Sequence, residues 1–281
     1  MRVDLAESAG FCFGVKRALH MAEETAARGG RLYMLGELVH NEHVLREIEA
    51  WGIKRIRRLV KGRGKRALLI SAHGVPKAVI VKARNLGYSI VDATCPMVKH
   101  IHRIAAKMEK QGRSVLVIGD RDHDEVRGIV GQLKNGAIVI DGKSGKLPGT
   151  LKRIARAAVV VQSTQDASTV QKTIAGIRSI VSDLEFHNTI CRPTGRKQQE
   201  IMSLAKGNDV VVVIGSETSA NTKRLREISS SVNRRTHMVG SVKDIDPRWF
   251  RGCRSVGVSA GASTPESAIR EVVGHIAGLN G

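Results

Sequence analysis

Aromatic side chains are scarce: Phe, Trp and Tyr make up 3% of the 281 residues. The core must then come from Val, Ile, Leu and Ala, and short runs rich in Val and Ile are what parallel strands buried on both faces look like. No run of about 18 apolar residues occurs, so no membrane span is expected. The N-terminal MRVDLAESAGFCFGV lacks the basic start, apolar run and small-residue cleavage site of a secretory signal, which predicts a cytoplasmic protein. Tight cysteine pairs are missing as well. Neither the Cys-x-x-Cys pairs of zinc ribbons and ferredoxins nor the Cys-x-x-x-Cys-x-x-Cys triplet of radical enzymes is present. A reducing compartment makes the four cysteines ligands, catalytic groups or buried small hydrophobes rather than disulfides. Acidic residues are few, 26 against 46 Lys and Arg, for a net charge of +20.

What is present is an alternation. Short apolar runs at 32–36, 67–70, 88–91, 115–118, 137–140, 157–161, 210–214 and 256–258 predict strands. Helical patterns lie at 15–28, 41–51, 77–86, 97–111, 124–133, 166–181, 196–206, 222–233 and 265–277. Strands alternating with helices predict an α/β fold with largely parallel sheets. Apolar runs repeatedly end in a polar loop that opens a helix: LGELVHN, LLISAHGV, VIGDRDHDEV, VVVQSTQ, VVVIGSETSAN and VGVSAGAST. Ligands of open α/β sheets bind beyond the carboxyl ends of strands, where helix N-termini favour anions. These loops therefore predict one shared anion site.

Cys12, Cys95 and Cys191 stand 83 and 96 residues apart in loop-like surroundings, GFCFGV, DATCP and NTICRPT. The near-even spacing suggests three similar α/β units, each delivering one thiolate to a common centre. Buried inert thiols, metal or cluster ligands and a nucleophile all fit this pattern; three thiolates would suit an iron–sulfur cluster with one open iron. Cys253 reads as structural. His40, His73 and His123 occupy strand-end loops, as surface residues, as ligands to a cluster, or more readily as donors to a diphosphate, where a raised pKa would keep them cationic. His100 and His102 could join Cys95 at a zinc site. Glu125 opens a helix, either as a first-turn acid favouring the dipole or as a general acid. Gln162, Ser163, Thr164, Ser219, Asn221 and Ser263 can cap helices, face a ligand, or do both.

Residues 54–66 (KRIRRLVKGRGKR) carry eight basic side chains. They read as a nucleic-acid patch, a solvated loop and strand edge, or a docking face for an acidic electron carrier. The nucleic-acid reading leaves the spaced cysteines unexplained, and few aromatics are available for base stacking.

The ordered set GFCFGV, VHN, SAHGV, DATCP, His123-x-Glu125, Gln162–Ser163–Thr164, Cys191-x-x-Thr194, Ser219-x-Asn221 and SAGAST resembles the 4-hydroxy-3-methylbut-2-enyl diphosphate reductase family over essentially the whole chain. The resemblance implies three small α/β domains in a pseudo-threefold trefoil around a central [4Fe–4S] cluster, divided as 13–95, 96–190 and 191–281 plus 1–12. It implies cluster ligation by Cys12, Cys95 and Cys191, with the fourth iron open to substrate. It implies diphosphate binding by His40, His73, His123, Ser219, Asn221 and Ser263, and catalysis by Glu125 with His123 and Ser163. The implied reaction is reductive dehydroxylation to isopentenyl and dimethylallyl diphosphate. Its electrons would come from an external ferredoxin or flavodoxin with its NADPH reductase. Ser163 stands where the family usually has Thr, Ala220 where a second Ser is common, and Asp124 where Pro is usual. Arg192–Pro193 and Lys197 also depart from the usual run.

Overall fold

A segment such as VVVVI offers apolar side chains to both faces of a strand, so it is stable only with a helical layer on each side. The chain meets this demand by alternating its strands with helices. The computed structural model describes residues 1–61 and 64–279; Gly62 and Arg63, inside the basic run, lie outside the described residues. In chain order the strands are β1 (Arg2–Leu5), β2 (Arg31–Leu35), β3 (Lys54–Ile56), β4 (Arg66–Ile70), β5 (Tyr88–Asp92), β6 (Ser114–Ile118), β7 (Ile138–Ile140), β8 (Arg156–Val161), β9 (Asp183–Phe186), β10 (Val210–Ile214), β11 (Thr236–Val239) and β12 (Ser255–Ala260). The helices are α1 (Phe13–Ala27), α2 (Glu42–Ala50), α3 (Lys77–Asn85), α4 (Pro96–Lys110), α5 (Asp124–Val130), α6 (Ala167–Arg178), α7 (Arg192–Gly207), α8 (Ala220–Val232) and α9 (Glu266–Gly278).

Among the described residues the strands form three four-stranded parallel sheets, ordered β3-β2-β4-β5, β7-β6-β8-β9 and β1-β12-β10-β11. Read from the first strand of each set, the order is the same in all three: second, first, third, fourth. In the last sheet the fourth place is filled by the N-terminal strand β1, beside β12. The chain divides into two compact units. One comprises Met1–Lys16, Val39–Glu47 and Arg192–Gly281 and holds the β10 sheet; the other comprises Arg17–Leu38 and Ile48–Cys191 and holds the other two.

Strand alternation sorts the core. Val210, Val212 and Ile214 pack with Ile269, Val272 and Ile276 of α9, while Val211 and Val213 pack with Ile201 and Ala205 of α7 and Leu225 of α8. In the β6 sheet, Leu116, Ile118, Val159 and Val161 face α6, and Val115, Val117, Ala158 and Val160 face α4 and α5. On α4 the buried residues are Val98, Ile101, Ala105 and Met108, the stripe that a 3.6-residue period aligns. Helix α4 follows β5 in the chain but covers the β6 sheet, and α7 follows β9 but covers the β10 sheet. The segments bearing Cys95 and Cys191 are thus the crossovers from one sheet to the next.

The nine helical patterns each correspond to a helix, and eight apolar runs to strands. The strands without such a run are β1, β3, β9 and β11, all at sheet edges. An edge strand has a neighbour on one side and need not be apolar on both faces; their side chains are mostly exposed or half-buried. The basic run divides: Lys54 and Arg55 lie on β3, whereas Arg66 is buried at the start of β4, donating to the carbonyls of Val60 and Leu86 and lying 4.1 Å over the Tyr88 ring. Among the described residues no helix is long and apolar enough to cross a membrane.

At Gly119, just past β6, an added Cβ would lie 2.7 Å from Val126 Cγ2 and 2.9 Å from Gln162 Cβ. Gly119→Ala should therefore lower stability by about 1–3 kcal/mol. Chemical denaturation of the two proteins side by side measures this, and an unchanged midpoint would refute the close approach.

Candidate active site

The shared strand order places equivalent loops at the strand ends. After each first strand comes a glycine, then four residues on a His or Ser, then two further on a Glu or Asn: Gly36, His40, Glu42; Gly119, His123, Glu125; Gly215, Ser219, Asn221. A helix starts at each. Its exposed amides are met by Asn41 Oδ1, accepting from His43 and Val44 N–H, by His123 Nδ1, accepting from Glu125 N–H at 3.1 Å, and by Ser219 Oγ, accepting from Thr222 N–H. After each third strand, the third residue is His73, Thr164 or Ser263. Sequence reading singled out most of these positions but not Glu42; the repeated spacing from glycine was the signal that would have found it.

The cysteines show the same equivalence. Each follows a fourth strand and stands one residue ahead of a helix: Cys12 before α1, Cys95 before α4, Cys191 before α7. Each donates its amide to the carbonyl two residues past the third strand of its sheet. Cys12 donates to Ala262 at 3.2 Å, Cys95 to Ala72 at 3.0 Å and Cys191 to Ser163 at 3.1 Å. All three are half-buried and outside any disulfide among the described residues. The first-turn amides of a helix favour negative charge at such a position. The donor set therefore fits thiolate ligation of an iron–sulfur centre. Cys253 stands apart from this pattern: its sulfur accepts from Arg235 at 2.9 Å and it packs beside the β10-sheet core, as a structural thiol.

In the larger unit, Glu125 is the chemical focus. It is 2% exposed, with Oε1 accepting from Ser163 N–H at 2.6 Å and Oε2 from Ser163 Oγ–H at 2.7 Å. Burial raises its pKa from the ordinary 4.5 to about 6, against the pull of both Ser163 donors. The acid thus titrates close to neutrality, where proton transfer in both directions is accessible. Gln162 locks the two loops together: its Oε1 accepts from Asp120 N–H at 2.8 Å and its own amide donates to Ile118 O. Thr189 Oγ1 exchanges hydrogen bonds with the N–H and C=O of Val161, continuing the ladder of β8 to within two residues of Cys191.

The His73 and His123 rings meet edge to face, centroids 5.3 Å apart. The bond from the α5 backbone to Nδ1 fixes the orientation of the His123 ring. His102 is packed beneath the His73 loop: a Cβ on Gly74, whose φ is +76°, would lie 2.9 Å from His102 Cε1. Burial pushes the pKa of His102 down to about 4, as expected of a neutral core histidine.

In the smaller unit, Ser263 Oγ donates to the carbonyl of His40 at 3.0 Å, and Ser216 Oγ donates to Glu42 at 2.9 Å. Asn221 is 5% exposed and its Nδ2 has no hydrogen-bond partner among the described residues. A buried amide donor left unmatched costs about 1–3 kcal/mol and is suited to an incoming acceptor.

The family model described as LytB protein matches residues 3–277. The chain is 38% identical over 280 residues to 4-hydroxy-3-methylbut-2-enyl diphosphate reductase of Geotalea uraniireducens, covering 100% of this chain and 98% of that protein. It is 38% identical over 276 residues to the enzyme of that name from Geobacter sulfurreducens, covering 98% and 97%. Among solved structures it resembles (E)-4-hydroxy-3-methyl-but-2-enyl diphosphate reductase, described as the terminal enzyme of the non-mevalonate pathway, with TM-score 0.72, 34% identity and coverage of 99% and 100%. It also resembles the E-1-hydroxy-2-methyl-but-2-enyl-4-diphosphate reductase of Plasmodium falciparum, with TM-score 0.91, 25% identity and coverage of 97% and 87%. A family match along nearly the full length, carried by three sheets of one strand order, leads to one conclusion: the chain belongs to the LytB family of 4-hydroxy-3-methylbut-2-enyl diphosphate reductases.

Proposed function

We propose that this chain reduces (E)-4-hydroxy-3-methylbut-2-enyl diphosphate to isopentenyl and dimethylallyl diphosphate, with the three domains divided as 13–95, 96–190 and 191–281 plus 1–12. The observation that carries the reading is the threefold equivalence of Cys12, Cys95 and Cys191, each one residue ahead of a helix and each anchored through its amide. A [4Fe–4S] cluster held by these thiolates would supply single electrons and, at the iron without a protein sulfur, a Lewis-acid position for the substrate hydroxyl. His40, His73, His123, Ser219, Asn221 and Ser263 offer hydrogen-bond donors to the diphosphate, and the unmatched Asn221 amide supports that role.

Glu125 is the proton donor in this reading. Loss of the allylic hydroxyl as water takes one proton; two electrons and a second proton then complete the C–H bond of either product. Neutral Glu125 can give the first proton, and the Ser163 N–H and O–H stabilise the carboxylate it becomes. His123 holds the Glu125 amide and so fixes the start of α5. The electrons require an external carrier, a ferredoxin or flavodoxin served by its NADPH reductase, and the chain's positive charge suits an acidic one.

Anaerobic reconstitution should yield roughly four irons and four sulfides per chain, with less retained by Cys95→Ser. A wild-type chain that takes up neither would sink the proposal. Glu125→Gln should slow turnover by about 10²–10⁴-fold with a smaller change in KM.

The titration of Glu125 has two further consequences. Wild-type turnover should decline as pH rises through about 6, where the buried acid ionises. Ser163→Ala removes a donor to the carboxylate and should move that inflection to higher pH; a move downward would contradict the assignment. For stability, the folded-state pKa lies above the unfolded one. Below 4.5 both states hold the proton and the shift contributes nothing; as pH rises to about 6 the folded state loses ground to the unfolded state. The stability of wild type relative to Glu125→Gln should therefore fall by about 2 kcal/mol between pH 4 and pH 7, read from denaturant midpoints.

A further inference from the structure

Lys197 in α7 is 2% exposed, an unusual place for an ammonium group. Its Nζ donates to three main-chain carbonyls: that of Ser8, that of Gly10 at 3.0 Å and that of Ala260, at the end of β12, at 3.2 Å. One turn along the same helix, Glu200 Oε2 accepts from both the N–H (2.9 Å) and the Oγ–H (2.6 Å) of Ser8. Helix α7 thus holds the backbone of Ser8 by both its donor and its acceptor. The gripped segment has no regular structure and ends at Cys12. Gly10, with φ of +90°, has no room for a side chain: a Cβ would lie 2.9 Å from Ile269 Cδ1 and 3.3 Å from Thr264 O.

We propose that Lys197 is a positioning residue for Cys12, holding the loop that presents this thiol. The three ammonium protons match three carbonyls, so a buried charge that would otherwise cost several kcal/mol is hydrogen-bonded. Without Lys197 the carbonyls of Ser8 and Gly10 lose a buried donor two residues from the thiol. The loop must then open towards water, and Cys12 moves with it.

Arg17 stands in a parallel relation to Cys95. It lies on α1, and its Nη1 donates to the carbonyls of Thr94 at 3.2 Å and Ala93 at 3.5 Å, the two residues before Cys95. In both cases a helix that begins one residue after a cysteine carries, five or six positions beyond that cysteine, a cation that holds the carbonyls just ahead of another cysteine.

The inference rests on the cluster reading, and its test separates the two. Full-length wild type, Lys197→Met, Lys197→Arg and Arg17→Met are reconstituted anaerobically and challenged with an iron chelator. N-ethylmaleimide is added at intervals, and mass spectrometry locates the modified cysteines. In wild type Cys12, Cys95 and Cys191 should react together as iron leaves. In Lys197→Met, Cys12 should react about tenfold faster than Cys95 and Cys191, and Lys197→Arg should restore the wild-type order. In Arg17→Met the leading residue should be Cys95. Equal acceleration of all four cysteines, Cys253 included, would mean general loosening and would overturn the proposal, as would an unchanged order. Absence of iron and sulfide from wild type would defeat the cluster reading alone, because the order of alkylation in the metal-free chain still reports the hold of Lys197 on Cys12.

Discussion

The hydrogen bond from each cysteine amide to the carbonyl two residues beyond the third strand of its sheet is the contact on which the rest is arranged. It occurs for Cys12, Cys95 and Cys191 within 0.2 Å of one length, from 3.0 to 3.2 Å. It ties the crossover leaving a sheet to the loop at that sheet's centre, which carries candidate site residues. A backbone–backbone bond is indifferent to side-chain identity. The carbonyl can therefore belong to Ala72, Ser163 or Ala262 while the geometry is kept. The parallel sheets make this possible, since the ends of the third and fourth strands lie side by side with their carboxyl ends in the same direction.

Around this scaffold the chemistry is set by a balance of burial and hydrogen bonding. Glu125 and Lys197 are both nearly inaccessible, yet they are treated in opposite ways. Lys197 has carbonyls for its protons, and its charge serves to hold backbone in place. Glu125 has two donors from one residue, too few to offset the loss of water, so its pKa rises towards neutrality. The same low-dielectric interior thus produces a fixed structural cation and a movable proton. Asn221 represents a third outcome, a buried donor left unmatched at the start of α8.

The central strands and the helices were legible because their signals are local. VVVVI at 210–214 admits little but a strand buried on both faces, and the stripe Val98, Ile101, Ala105, Met108 admits a helix with one buried side. β1, β3, β9 and β11 were not legible, because what makes RVDL or DLEF a strand is the hydrogen-bonding edge of a neighbour far along the chain. Among the candidate site residues, His40, His73, His123, Glu125 and the three loop cysteines stood out by residue type and strand-end context. Arg17, Glu42 and Glu200 did not, since an ordinary charged residue on a helix carries no mark of what it touches.

By itself the sequence determined the α/β class, the alternation of elements and the order of motifs along the chain, because hydrophobic periodicity and loop chemistry are written in neighbouring residues. The tertiary structure decided that β1 completes the β10 sheet, that the three cysteines are structurally equivalent, that Ser163 meets Glu125 and that Lys197 reaches the Cys12 loop. Those facts depend on partners 38 to more than 250 residues apart. No local pattern encodes such pairings; they are chosen by which strands share a sheet and by which buried polar atoms must find one another.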